Sequence, residues 1–353
     1  MNTQLTHKHF GTTPDGQVVT EYTLTNNNGL VVSVINYGCA ITSLNVPDRD
    51  GVLGNIVLGF DQLEGYVSTN QHIGCIAGRY ANRIAFGKFM LDENEYFLAA
   101  NNGPHHLHGG INGFNRVVWR GEEIRDENGV GVVFTHLSPD GDEGYPGNLH
   151  VEVKYILSND DTLSFEYRAV TDQPTIINLT QHSYFNLNGG VKDILDHHLT
   201  VYADHFLPVD ELMIPTGEIR NVDNTPFDFR QPKKVGKDIN QHDAQLTIGH
   251  GYDHAWVIRK EIDDLSHAAT LYDDESGRVM DVYTTEPGMQ VYTANFLEGT
   301  SLSENNIALR PRLGVCLETQ HYPDSPNHPE FPSVILKPGE QYYSKTLLTF
   351  RIQ

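Results

Sequence analysis

Along most of the chain apolar and polar residues alternate with a period of two, the pattern of half-buried strands rather than helices. The runs "QVVTEYTLT", "LVVSVIN", "GVVFTHL", "LHVEVKYIL", "TLSFEYRAV", "HHLTVYA", "HAWVI", "RVMDVYTT", "MQVYTANF", "LGVCLET" and "YSKTLLTFRI" all read this way. Turn sequences separate them: "NNNG" at 26–29, "DENG" at 126–129, "SNDDT" at 158–162 and "DDESG" at 273–277. In "DENG" the pair Asn128–Gly129 supplies the positive φ values of a type I′ turn, which predicts a hairpin. Amphipathic helices of a dozen residues are missing, and "FDQLEGY" and "QPKKVGKDI" predict no more than short turns. Many antiparallel strands with little helix predict an all-β fold, a large antiparallel β-sandwich. With no fixed-period repeat and no Gly/Ser- or Pro-rich linker, residues 1–353 are read as a single domain. The segment 205–250, rich in Pro and Asp, is expected to loop across a sheet face.

One stretch breaks the simple pattern. Read as a strand, residues 176–187 place Ile176, Asn178, Thr180, His182, Tyr184 and Asn186 on one face. Ile177, Leu179, Gln181, Ser183, Phe185 and Leu187 take the other. The first face is mostly polar, yet it carries neutral donors and acceptors around an aromatic and a histidine, not the Lys and Glu of an ordinary surface. That suits the wall of a sugar-binding cleft; a merely solvated strand face is the plain alternative.

The bulk numbers narrow the partners. Net charge is 24 − 46 = −22 over 353 residues, so the surface field repels nucleic acid and anionic membranes, and a small neutral or cationic molecule fits better. No signal-peptide pattern opens the sequence and no apolar run of spanning length occurs. Cys39, Cys75 and Cys316 are scattered and odd in number, which points to a reduced, cytoplasmic protein without a disulfide or zinc framework.

A second polar strand face lies in "LGVCLETQHYPD". Leu313, Val315 and Leu317 point one way, while Gly314, Cys316, Glu318 and Gln320 point the other. Glu318 has no Lys or Arg in its local run, and a desolvated, unpaired carboxylate becomes a stronger base. An ordinary surface glutamate is the commoner outcome for any single strand Glu. In "NNGPHHLHGG", His105, His106 and His108 invite a metal reading, with His106 and His108 on one strand face. No acidic or cysteine ligand follows at short range, so a hydrogen-bonding role for His108 beside Gly109–Gly110 is preferred. "GRYANRIAFGKF" sets Asn82 before Arg83, whose guanidinium can fork onto hydroxyls, whereas Arg79 is expected to pin a loop through backbone carbonyls. Asp253 in "GYDHAW" and Gln290 with Tyr292 in "PGMQVYTANF" could clamp sugar hydroxyls, although both residue types are common in turns and edges. Phosphate-cradling loops and a nucleophile elbow are absent.

In this order, "INYGCAITSLNVPDRDG", "GRYANRIAFGKF", "HHLHGG", "GDEGYPGNL", "INLTQHSYFNL", "FLPVDELMIPTGE", "GYDHAW", "QVYTANF" and "CLETQHYPDSPNHPEFPS" resemble the aldose 1-epimerases, the galactose mutarotase family, over nearly the whole chain. The resemblance implies a galactose mutarotase-like supersandwich and interconversion of the α and β anomers of free aldohexoses such as D-galactose and D-glucose. By position it implies Glu318 as catalytic base and His182 as catalytic acid, with Asn82, Arg83, His108, Asp253 and Gln290 on the substrate; Tyr184, from the polar face that holds His182, is read as a further substrate-binding residue. Mutarotation moves no electrons and needs no strong nucleophile, so no cofactor and no metal are expected; the expected partner is a monosaccharide substrate, and the chain is expected to be a monomer or homodimer. One departure is Gln181, where the family usually has Asn before the catalytic His; pointing away from His182, it should alter a packing hydrogen bond more than the chemistry. A hexose-6-phosphate 1-epimerase, a glycosidase using Asp253 and Glu318, and a non-catalytic sugar-binding module are the rival readings.

Overall fold

The two-residue alternation is realised as stacked sheets in the computed structural model, which describes residues 3–125, 129–260, 265–299 and 308–353. The largest sheet has nine strands, all paired antiparallel, in the order Arg120–Arg125, Gly129–Ser138, Leu149–Ser158, Thr162–Thr171, Tyr342–Ile352, Arg278–Thr284, Ser266–Tyr272, His198–Val201 and Lys233–Lys234. Residues 126–128 of the "DENG" turn lie outside the described residues, but the strands on either side pair antiparallel with Arg125 opposite Val130. A five-stranded antiparallel sheet runs Arg220–Asn221, Ala203–Leu207, Asp253–Ile258, Gly288–Tyr292 and Cys316–Gln320. The chain's first five strands, from Gln4–Thr12 to Leu53–Asn55, form a third sheet in sequence order. No described helix is long and apolar enough to cross a membrane.

The sheets meet over one core. Val132, Phe134, Val153, Tyr155 and Phe165 of the nine-stranded sheet pack with Phe206, Trp256, Met289, Val291 and Leu317 of the five-stranded sheet. Burying each such side chain contributes about 1.5–3 kcal/mol, so the inward set decides which way every strand faces. Thr319 and Thr346, one from each sheet, bring their hydroxyls to 2.6 Å, which shows how closely the layers approach. With Met289, Val291 and Leu317 turned inward, Gln290, Tyr292, Cys316 and Glu318 must occupy the opposite face. The pairing aligns them across strands: Gln290 lies opposite Glu318, and Tyr292 opposite Asp253.

Three local expectations are corrected. Residues 176–187 are not one strand with a polar face; they form two-residue strands, Thr175–Ile176 and Thr180–Gln181, joined by isolated bridges, and every residue in the stretch is buried. The neutral polar groups there satisfy distant backbone. Asn178 bonds Ala81 O, His321 O and His321 N, and Asn186 donates to Lys192 O and Leu313 O. Likewise, His106 and His108 do not share a strand face, because the strand is only His106–Leu107 and His108 turns left-handed at φ 50°. His106 instead meets Tyr145 Oη at 2.6 Å and Ala99 O at 2.7 Å. Finally, 205–250 contains a short helix, Ala244–Gly249, whose first turn is capped by the Asp243 carboxylate. The short strands Arg220–Asn221 and Lys233–Lys234 and a helical turn at Val235–Lys237 also interrupt the loops of that segment, which send Phe227 and Phe229 into the core beside Trp256.

Arg79 is buried and acts as a loop pin. Its guanidinium donates to Pro146 O, Gly147 O, Ser138 O, Ser138 Oγ and Pro139 O. Replacing it with leucine strands several buried acceptors, each costing about 1–3 kcal/mol. Arg79→Leu is therefore expected to lower stability by about 3 kcal/mol or more, read as a reduced urea midpoint with an unchanged slope; a shift below about 1 kcal/mol would contradict this role.

Candidate active site

The outward face of the five-stranded sheet, the 176–187 stretch and three loops enclose a cleft of about 190 Å³. That is the volume of about six waters at their ~30 Å³ share, the scale of one sugar ring. Its wall includes Asn82, Arg83, His108, His182, Tyr184, Asp253 and Glu318. These come from segments up to 236 residues apart (318 − 82), and only the sheet packing assembles them.

Glu318 and His182 face each other with Oε1 and Nε2 3.6 Å apart, and both side chains are buried. The Oε2 of Glu318 has no hydrogen-bond partner. Burial, reinforced by the Asp253 charge and opposed by Arg83, pushes the Glu318 carboxyl well above the usual carboxylate range. Burial pushes His182 the other way, down to about 4. The main chain that carries this imidazole is anchored: His182 N donates to Cys75 O at 2.8 Å, and Gly74 N donates to His182 O at 3.0 Å. Gln181 supports the same turn from the opposite side, donating to Gly74 O and accepting from Ser183 N.

Asn82 and His108 form a second fixed unit. Both are left-handed, at φ 69° and 50°, and Asn82 N donates to His108 Nδ1 at 3.1 Å while His108 N donates to Asn82 O at 3.2 Å. Only a glycine fits next to them. A Cβ on Gly109 would stand 1.7 Å from Gly78 O. The Asn82 side chain accepts from Arg83 N at 2.8 Å. Arg83 then reaches Asp253, Nη2 to Oδ2 3.4 Å, and Gln290 Nε2 donates to the other Asp253 oxygen at 2.7 Å. Gln290 shares the outward sheet face with Glu318, and its bond orients the Asp253 carboxylate. Tyr184 lines the cleft with its ring 5.2 Å from His182, but its hydroxyl proton is committed to Gln71 O at 2.8 Å.

Of the three histidines in "HHLH", only His108 belongs to this site. Its donor atom lies within 4.8 Å of those of His182 and Glu318, the spacing of a possible metal triad. The chemistry of His108 opposes that use. A neutral imidazole has one lone pair, and here the Asn82 N–H consumes it at Nδ1, so Nε2 carries the hydrogen and cannot ligate. Several wall residues had no signal in the sequence reading: His72, Asn70, Asn102 and Phe296 join only through loop placement. Tyr292 was visible as the residue sharing a face with Gln290.

The family model for aldose 1-epimerase matches residues 20–349. Galactose mutarotase of Bos taurus is 46% identical over 349 residues, 99% of each chain, and aldose 1-epimerase of Escherichia coli (strain K12) is 39% identical over 339 residues, 96% of each. Among solved structures, galactose 1-epimerase from Lactobacillus acidophilus NCFM superposes with a TM-score of 0.89 at 29% identity, covering 99% of both chains. The chain belongs to the aldose 1-epimerase family.

Proposed function

We propose that the chain interconverts the anomers of free aldohexoses, galactose and glucose among them, with Glu318 and His182 as the proton-transfer pair. The observation that carries this is their 3.6 Å approach with opposite pKa shifts inside a cleft of sugar-ring size. Opening a pyranose removes the proton of the C1 hydroxyl and delivers one to O5. Both oxygens sit on the same carbon, so two groups this close can each hydrogen-bond one of them.

Glu318 as carboxylate takes the O1 proton while His182 as imidazolium gives one to O5. That step converts a charged pair into a neutral pair. Burial favours the neutral forms of both groups, so ring opening discharges what the cleft solvates poorly. Rotation about C1–C2 presents the other carbonyl face, and closure runs the transfers backwards. The pair holds one proton before and after, so the site resets itself.

His108 is the fixed donor. With Nδ1 accepting from Asn82 N–H, its Nε2–H can only donate, and burial beside His72 and His182 keeps the ring neutral. Arg83 and Asp253 provide a donor and an acceptor for vicinal hydroxyls, with Gln290 steadying Asp253. The described wall carries one arginine, already engaged by Asp253, and no lysine, which disfavours a phosphorylated sugar.

Polarimetry on freshly dissolved α-D-galactose and α-D-glucose should show faster approach to equilibrium rotation, and Glu318→Gln and His182→Asn should each cost about 10²–10⁴ in kcat. Unaltered rates in either variant would overturn the pair. The kcat/KM profile should hold level while the pair has one proton. It should fall near pH 4 as His182 gains a second proton and Glu318 remains a neutral acid. It should fall again, well above the usual carboxylate range, as Glu318 loses the pair's last proton. Nitrogen-15 spectra should show His108 as the Nε2–H tautomer, still neutral at pH 5; an Nδ1–H or cationic ring there would remove it as the fixed donor.

A further inference from the structure

His72 is the wall histidine to which the scheme above gives no contact with the sugar. It lies on the loop between the helix Leu63–Ser68 and the strand Ile76–Ala77, left-handed at φ 52°. Its ring packs 4.7 Å from that of His108 and 5.9 Å from that of His182. Nδ1 is buried without a hydrogen-bond partner, and the ring lines the cleft, which leaves Nε2 as the nitrogen able to meet a ligand. A partly buried imidazole with one enclosed nitrogen left unmatched is unusual away from function.

The order of groups around the cleft indicates what His72 meets. Asp253 is bonded to Gln290, which lies opposite Glu318; Glu318 is 3.6 Å from His182; the His182 ring is 5.9 Å from that of His72. A pyranose held with O1 at Glu318 and O5 at His182 offers, in the same sequence, C2, C1, O5 and then C5 with its hydroxymethyl group. We propose that His72 is a specificity-determining residue that hydrogen-bonds the C6 hydroxyl of the sugar through Nε2. This rests on the mutarotase reading of the site. Burial holds His72 down at about 3, so it offers a neutral partner, suited to a hydroxyl and not to an anionic group at C6.

The test compares galactose with 6-deoxygalactose by polarimetry in wild type, His72→Phe and His72→Asn. Phe keeps the ring without its nitrogens; Asn tolerates the left-handed backbone but is too short to reach. Wild type should show a KM for galactose on the order of tenfold below that for 6-deoxygalactose, the scale of one neutral hydrogen bond. Both variants should bring the ratio of the two KM values to about one by raising the galactose KM more than that for 6-deoxygalactose. Equal wild-type KM values, or variants that weaken both sugars alike, overturn the assignment; the first of these needs no variant to fold. Wild-type protein that speeds neither sugar overturns the mutarotase reading itself, and this inference with it.

Discussion

Glu318 and His182 are held where neither keeps its charge easily. A carboxyl with one oxygen unbonded and an imidazole 3.6 Å away would both be hydrated on a surface; here both are enclosed. The rest of the cleft follows from tolerating that arrangement. His182 is clamped by two backbone hydrogen bonds to the 74–75 turn, and Glu318 sits mid-strand, paired across to Gln290. Rigid backbone on both sides keeps the two groups from swinging out to water or collapsing onto better partners. The nearest full charges, Arg83 and Asp253, are bonded to each other and so act on Glu318 in opposite directions.

The surroundings are correspondingly neutral. Asn82 and His108 lock one another through backbone-to-ring and backbone-to-backbone bonds, which spends the lone pair of His108 and leaves a donor of fixed direction. Tyr184 gives its proton to Gln71 O and contributes a ring. A wall of this kind distinguishes hydroxyl positions by geometry, with little long-range field to draw in anions. The net charge of −22 on the whole chain works in the same direction.

Much of this was legible in the residue pattern, for a physical reason. Where a strand has one face in the core, parity alone separates the two sides: Leu317 with Val315, and Glu318 with Cys316, divided as the alternation demanded. The same reasoning failed for residues 176–187, because that stretch crosses between layers and is buried on both sides. Its Asn178 and Asn186 serve carbonyls more than 90 residues away in one case and more than 120 in the other, partners that no local period can reveal. His72 was invisible for a related reason. Its meaning arises only when the 69–75 loop is laid against His108 and His182. The carry-over from family resemblance supplied roles for residues such as Asn82, whose own neighbourhood in the chain says nothing of chemistry.

The alignment of Gly288–Tyr292 with Cys316–Gln320 has a consequence for how this protein can go wrong. Were Cys316–Gln320 to settle one residue out of step, Leu317 or Thr319 would enter the cleft and the carboxylate would be driven into the apolar interior. Such a chain could retain much of its sheet content and compactness while being chemically blank. For this protein, turnover is therefore a more sensitive witness of correct strand alignment than any bulk measure of β-structure.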